Sequence, residues 1–156
     1  MVCGDAMPEC SGTFGINMDY RGIFLNMSFY YQFGGQTYNQ TLVDRVENAN
    51  VGLNVDKRIY NAVWKKPGDR VDFSYNPYRL TKPSSRFVQD LNELRLSSLN
   101  VGYDFRHCAF LKKSRLQQLK ASFYMDDVFR ASTVKTERGL TYPFARTFSF
   151  SLQATF

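Results

Sequence analysis

Apolar and polar residues alternate with period two along several stretches of this chain. Phe14, Ile16, Met18 and Tyr20 are interleaved with Thr13, Gly15, Asn17 and Asp19. Successive residues of a strand point to opposite faces, so this segment reads as a strand with two unlike faces. Arg21-Gly22 reads as a short turn. Ile23, Leu25, Met27, Phe29, Tyr31 and Phe33 then oppose Phe24, Asn26, Ser28, Tyr30 and Gln32. The pattern predicts a hairpin over 12–33, ended by Gly34-Gly35. A third strand is expected near 94–105, with Leu99, Val101, Tyr103 and Phe105 against Ser98, Asn100, Gly102 and Asp104. A fourth is expected near 116–128, with Leu119, Ala121, Phe123 and Met125 against Lys120, Ser122, Tyr124 and Asp126. The last, over 146–156, is the cleanest. Phe148, Phe150, Leu152, Ala154 and Phe156 share one face, and Thr147, Ser149, Ser151, Gln153 and Thr155 the other.

Between the hairpin and the third strand, residues 34–93 lack strong alternation, a stretch far longer than an ordinary loop. One helix is expected there, over 54–66, because Val55, Ile59, Ala62 and Val63 fall on one helical face. Asn54 suits its first turn, Lys65 and Lys66 its last, and Pro67-Gly68 stops it. A second, shorter polar loop is expected over 130–145.

Period two does not by itself separate a membrane barrel from a soluble sheet, since both have one apolar and one polar face. Three features favour the barrel. The polar faces carry mainly Ser, Thr, Asn, Gln and Gly, which suit a wet, crowded lumen better than open solvent. Short and long connections alternate, as they do between the two sides of an outer-membrane barrel. The chain also ends on an aromatic residue that closes a strand. The expectation is an all-β antiparallel meander of about five long strands, the C-terminal part of a transmembrane β-barrel. The long loop with its short helix, and the 130–145 loop, would lie outside the cell, and the 106–115 connection and the Arg21-Gly22 turn in the periplasm.

Composition adjusts this picture modestly. Of 156 residues, 16% are aromatic, with 14 Phe and 10 Tyr, which fits interfacial girdles. The mean hydropathy of −0.38 does not oppose a barrel, because alternating strands keep the average low. No apolar run approaches the ~18–20 residues of a transmembrane helix. The start, Met1-Val2-Cys3-Gly4-Asp5, is not a signal peptide, so a fragment of a longer protein is expected. The net charge is +6, with an unbalanced cluster at Arg106, Lys112, Lys113 and Arg115. No nucleic-acid motif accompanies that charge, and it reads as a solvated turn.

No catalytic set, metal site or cofactor is expected. Cys3, Cys10, Cys108 and His107 make a poor ligand set. Asp126 and Asp127 are adjacent strand residues and diverge. Asp44, Glu47 and Asp56 match no calcium loop spacing. Tyr38 and Trp64 are candidate ligand contacts, because sugars stack on rings. The plainer and preferred expectation is that Trp64 packs the loop helix against the barrel rim. Arg86, a third candidate loop contact, is expected to pair with a carboxylate such as Asp90.

Several stretches together resemble SusC/RagA-like TonB-dependent outer-membrane importers. They are Gly4-Asp5-Ala6-Met7-Pro8-Glu9, Tyr20-Arg21-Gly22-Ile23, Tyr31-Gln32-Phe33-Gly34-Gly35 and Asn54-Val55-Asp56-Lys57-Arg58. To these add Trp64-Lys65-Lys66-Pro67-Gly68-Asp69, Leu99-Asn100-Val101-Gly102-Tyr103 and Thr141-Tyr142-Pro143-Phe144-Ala145-Arg146. The resemblance implies import of oligosaccharides or peptides driven by the TonB complex, with a SusD-like lipoprotein lid. It implies outer-membrane lipid against Phe148, Phe150 and Leu152, and a terminal strand ending in Phe156 that the barrel assembly machinery reads. Plug and TonB-contacting segments are missing, and five strands cannot close a barrel of roughly 22. The rival expectation is a stand-alone soluble β-protein that binds a ligand or partner. It is separated from the first by behaviour without detergent.

Overall fold

A computed structural model describes residues 3–74, 81–108, 111, 116–135 and 145–155. Its framework is one five-stranded antiparallel sheet in sequence order: β1 (Cys10–Tyr20), β2 (Ile23–Tyr38), β3 (Val88–Asp104), β4 (Gln118–Ser132) and β5 (Phe148–Thr155). The sheet is an open meander with β1 and β5 as its edges.

The expected alternation is carried across all five strands by their register. Met18 lies opposite Leu25, Leu25 opposite Val101, Val101 opposite Phe123, and Phe123 opposite Phe150. The neighbouring row is Ile16, Met27, Leu99, Met125 and Phe148. On the other face, Asn17, Asn26, Asn100, Tyr124 and Ser149 align in the same way. A slip of one residue in any strand would mix the two faces, so register is what keeps them chemically separate.

The Arg21-Gly22 turn closes β1 onto β2. Both residues have positive φ, 50° and 90°, the two-residue geometry whose twist matches that of the flanking strands. Gly22 is required for a second reason. A Cβ there would sit 2.6 Å from the Asp104 carbonyl, whose residue donates its own amide to the Gly22 carbonyl at 2.7 Å.

Several strand limits differ from expectation. Gly34-Gly35 does not end β2. Gly34, at φ 80°, forms a bulge in which Phe33 and Gly34 face Asn92 alone, and its amide donates to Asn92 Oδ1 at 3.1 Å. β2 therefore continues to Tyr38 and pairs with a β3 that starts at Val88 rather than near 94. β4 runs to Ser132 because a second bulge, with Asp127 at φ 49°, lets pairing resume at Phe129. β5 begins at Phe148. Phe156, Lys112, Lys113 and Arg115 lie outside the described residues, as does most of the 130–145 loop.

Helix is sparser and differently placed than expected. Only α2 (Ile59–Ala62) forms within 54–66. The Asp56 carboxylate turns the chain early by accepting from the Arg58 amide at 2.8 Å. At the other end, Asp69 Oδ2 accepts from the Lys65 and Lys66 amides, and Val63 goes extended to bridge Phe73. A helical segment that the apolar pattern had not suggested spans 40–47, with α1 (Gln40–Leu42) running into a π-turn (Val43–Glu47). Asn39 caps it through Oδ1 on the Leu42 amide at 3.2 Å.

The buried hydrophobic cluster does not lie against the sheet. It consists of Leu42, Val43, Val46, Val63 and Phe87, with Tyr38, Ile59 and Phe73 packed on it, all from the β2–β3 connection and its margins. The apolar sheet face stays open: Phe150 is 72% exposed and Leu152 63%.

Gly102 should be intolerant of a side chain. A Cβ would fall 2.3 Å from both the Ala121 carbonyl and the Phe24 ring, which lies across the glycine toward Lys120, 4.2 Å from the ring centre. Gly102→Ala is expected to cost about 1–3 kcal/mol of overpacking. The measurement is the urea midpoint of the chain refolded in detergent, followed by circular dichroism.

Candidate functional site

Two regions carry the polar chemistry: the connection between β2 and β3, and the polar face of the sheet.

In the connection, Arg86 and Glu47 form the central clamp. Glu47 is buried at the end of the 40–47 helical segment, and both its oxygens are bonded by Arg86 Nη2. Thr81 Oγ1 adds a hydrogen bond to Glu47 at 2.8 Å. The Arg86 guanidinium also lies over Phe87, at 4.9 Å, and over Phe73, at 6.0 Å. Asp90, the partner expected from sequence, instead accepts from Gln36 Nε2 at 2.9 Å. The reason is that Asp90 belongs to β3 and points along the β2 pairing, while the 40–47 segment folds back under Arg86.

Tyr38 and Arg86 meet at Phe87. The Tyr38 ring stands edge-on to Phe87 at 5.9 Å, so its main contact is with the loop core. Tyr38 also borders an open cleft of about 240 Å³, together with Gly4, Gln36 and Val88. Residues before β1 form the cleft's other wall, held by the Gln36 amide on the Asp5 carbonyl at 2.8 Å. Trp64 is not brought to this point. Its amide donates to Phe73, but its ring is 49% exposed and is not among the residues packed on the core. The expectation was packing of the loop helix against the barrel rim; within the described residues the Trp64 side chain stands apart from the loop core. Val63, its neighbour, fills the core position because the extended bridge to Phe73 turns alternate side chains outward.

A second clamp holds the middle of the connection. Asp56 pairs with Arg58 Nη2 at 2.6 Å, and Arg45 Nη1 donates to the Asn54 carbonyl at 2.9 Å. The hydrogen bond from Arg58 holds the Asp56 carboxyl below its ordinary range, against the opposing effect of burial.

The polar face of the sheet carries a network that sequence reading missed. Arg130 Nη2 bonds the buried Glu93 Oε2 at 2.7 Å. Arg95 lies over the Tyr30 ring at 5.4 Å, and Tyr30 donates its hydroxyl to Gln32 Oε1 at 2.7 Å. Alternation alone would have put Glu93 and Arg95 on the face of Leu99 and Val101; the extra residue taken up between Leu96 and Ser98 is what brings them beside Tyr30 and Arg130. Among the described residues, no three His, Cys, Asp or Glu come together as metal ligands, and no helix is long and apolar enough to cross a membrane.

No family model matches the chain. Among curated proteins, it is 26% identical over 176 aligned positions to TonB-dependent receptor P3 of Formosa agariphila. The match takes in 99% of this chain and 17% of that receptor. The chain is thus similar to one stretch of that receptor. Among solved structures it is similar to a chain of the RagAB peptide importer. In the open-open state of that importer the TM-score is 0.61 at 16% identity, covering 86% of this chain and 14% of that one. In the closed-closed state the TM-score is again 0.61, covering 83% and 14%. The structural likeness speaks for the fold: the five-stranded meander matches one section of that importer chain. The SusC/RagA-like resemblance seen in the sequence thus agrees with both comparisons. This chain spans less than a fifth of the proteins it matches.

Two predictions follow from the clamps. Arg86→Ala should destabilise the docked connection by about 1.5–3 kcal/mol, the range for hydrogen bonds to a charged group, because Glu47 keeps only Thr81 as a neutral partner. Faster proteolysis within 39–87, with cleavage elsewhere unchanged, is the expected readout. The Asp56–Arg58 clamp should also weaken with acid. A carboxyl lowered in the folded state contributes stability that is full above its unfolded value, roughly 3.9, and is lost as pH falls through the lowered value. Hydrogen exchange of the 45–58 amides should rise over that interval in the wild type and not in Asp56→Asn.

Proposed function

We propose that this chain is a wall segment of an outer-membrane TonB-dependent transporter, working with the remaining strands and plug of a complete protein. The observation that carries this reading is the unbroken apolar face. In-register rows of Phe, Leu, Met, Ile and Val cross all five strands and face nothing within the described chain. A soluble sheet buries such a face against a second layer. Lipid is the solvent that accepts it uncovered, and the polar reverse face suits a lumen.

The same reading orients the segment. The Arg21-Gly22 turn and the 105–117 connection lie at one end of the meander, and the 39–87 and 133–147 connections at the other. Short turns are periplasmic and long loops extracellular in such barrels, so the Glu47–Arg86 clamp, Tyr38 and Trp64 belong outside the cell. There Trp64, with its open ring, is a candidate contact for substrate or for a lipoprotein lid.

The substrate class is an oligosaccharide or a peptide. The solved relatives are described as a peptide importer, and the reading extends that role to the parent of this chain. Its partners are a SusD-like lipoprotein, the TonB complex acting through parts of the protein outside this chain, and the barrel assembly machinery that inserts the strands. Phe148, Phe150 and Leu152 face lipid.

Phe150→Asp and Ser151→Asp test the face assignment, since the two residues are adjacent on β5 and differ in face. In the complete protein, Phe150→Asp should lower the folded, membrane-inserted fraction by roughly fivefold or more, the effect of ~1 kcal/mol or above. Ser151→Asp should leave it within about twofold. Heat-modifiable gel mobility of outer-membrane fractions measures both. Equal effects would reject a lipid-facing Phe150.

A further inference from the structure

On the polar face, Arg95 of β3 and Arg130 of β4 are register partners, directly opposite one another. Like charges in that position repel, so the pair needs neutralising. Glu93, two residues from Arg95 on the same strand, answers Arg130 through the 2.7 Å ion pair. Arg95 has no such answer. It is half-buried, it makes no ion pair among the described residues, and its Nε is enclosed without a hydrogen-bond partner. Its one described contact is the Tyr30 ring beneath the guanidinium. Asp126, opposite Ser98 across the irregularity, accepts from the Tyr124 hydroxyl.

A partly desolvated cation with an unfilled donor, set beside a second cation, costs free energy unless an anion comes within reach of it. The chemistry of the missing group follows from that of guanidinium, whose planar fork takes a carboxylate through two parallel hydrogen bonds. Tyr30 lies beneath the fork, and its hydroxyl is held by Gln32.

We propose that Arg95, backed by Arg130, is a binding site for the carboxylate of an acidic ligand that travels along the polar face. The inference rests on the reading that this face lines a channel, and it names the substrate class more narrowly: oligomers carrying carboxylates. An acidic peptide and a uronic-acid oligosaccharide both supply that group.

The experiment uses the complete outer-membrane protein containing this chain, purified in detergent, with tetraglutamate and trigalacturonate as probes. Tetraglutamine and maltotriose are the neutral controls. Calorimetry should detect binding of at least one acidic probe, and which one binds identifies the source of the carboxylate. Arg95→Gln should weaken that binding by at least about tenfold, with Arg95→Lys intermediate because a point charge keeps attraction but loses the fork. The melting midpoint of Arg95→Gln should be unchanged or raised, since the variant removes an uncompensated charge. A lowered midpoint, an unchanged affinity, equal binding of neutral probes, or no binding of either acidic probe overturns the site. The outcome is separable from the channel reading. If Phe150→Asp and Ser151→Asp differ as expected while Arg95→Gln binds like the wild type, only the arginine site falls.

Discussion

The architecture depends on one constraint, the conservation of side-chain facing through the irregularities of the sheet. Between the rows that hold Met27 and Phe29, β2 advances from 27 to 29, β3 from 96 to 99 and β4 from 125 to 129. Each strand thus takes one more residue than the last to cover the same step. By plain alternation Leu94 and Leu96 would fall on the polar face, while Phe129, an even number of residues from Met125, would keep its side. With the bulges, the extra residues are absorbed locally and the rows realign. The positive φ at Asp127 belongs to that adjustment. Bulges also bend and twist the strand that carries them, which an open section of a barrel wall requires.

The polar face obeys the same rule with different materials. Phe24 sits among small polar residues, and its position follows from Gly102 across the pair. A ring laid over a glycine covers backbone that the missing side chain leaves bare, and Lys120 completes the stack. Higher on the same face, Tyr30 lies beneath Arg95. Phe24 and Tyr30 on this face therefore serve as platforms for cations, while the rings on the other face present open hydrocarbon. The aromatic share of the composition is thus divided between two separate tasks.

Sequence reading recovered what period two encodes and lost what depends on distant partners. The face of Phe148, Phe150 and Leu152 was legible because alternation is local. The tight turn was legible because Arg-Gly between two alternating runs has few other solutions. The continuation of β2 was not, since Gly34-Gly35 is a stop signal unless a bulge partner such as Asn92 is known. The helical segment was misplaced for a related reason. Val55, Ile59, Ala62 and Val63 fit a helical face, but Asp56 and Asp69 divert the backbone into turns. Asn39 with Leu42, Val43 and Val46 was the better signal. The Arg86 partner was out of reach, because Glu47 is distant in sequence and comes close only once the 40–47 segment has folded.

The two halves of the structure answer to different solvents. The 39–87 connection has its own buried cluster, its own capped helical segment and two ion-pair clamps, so water can surround it. The sheet has no such interior. Its hydrogen bonds are satisfied within the meander except along β1 and β5, and its apolar side chains gain nothing from folding unless something other than water meets them. Stability of the connection is therefore internal, and stability of the sheet is conditional on lipid at one face and further strands at both edges. That division explains how the described part of this long connection is held at the end of an open wall. It is anchored by β2 and β3, the most extensively paired strands, which extend past the bulge at Gly34 to hold Tyr38 and Phe87 against each other. The extension missed from sequence is thus the part of the sheet that couples the wall to its outer loop.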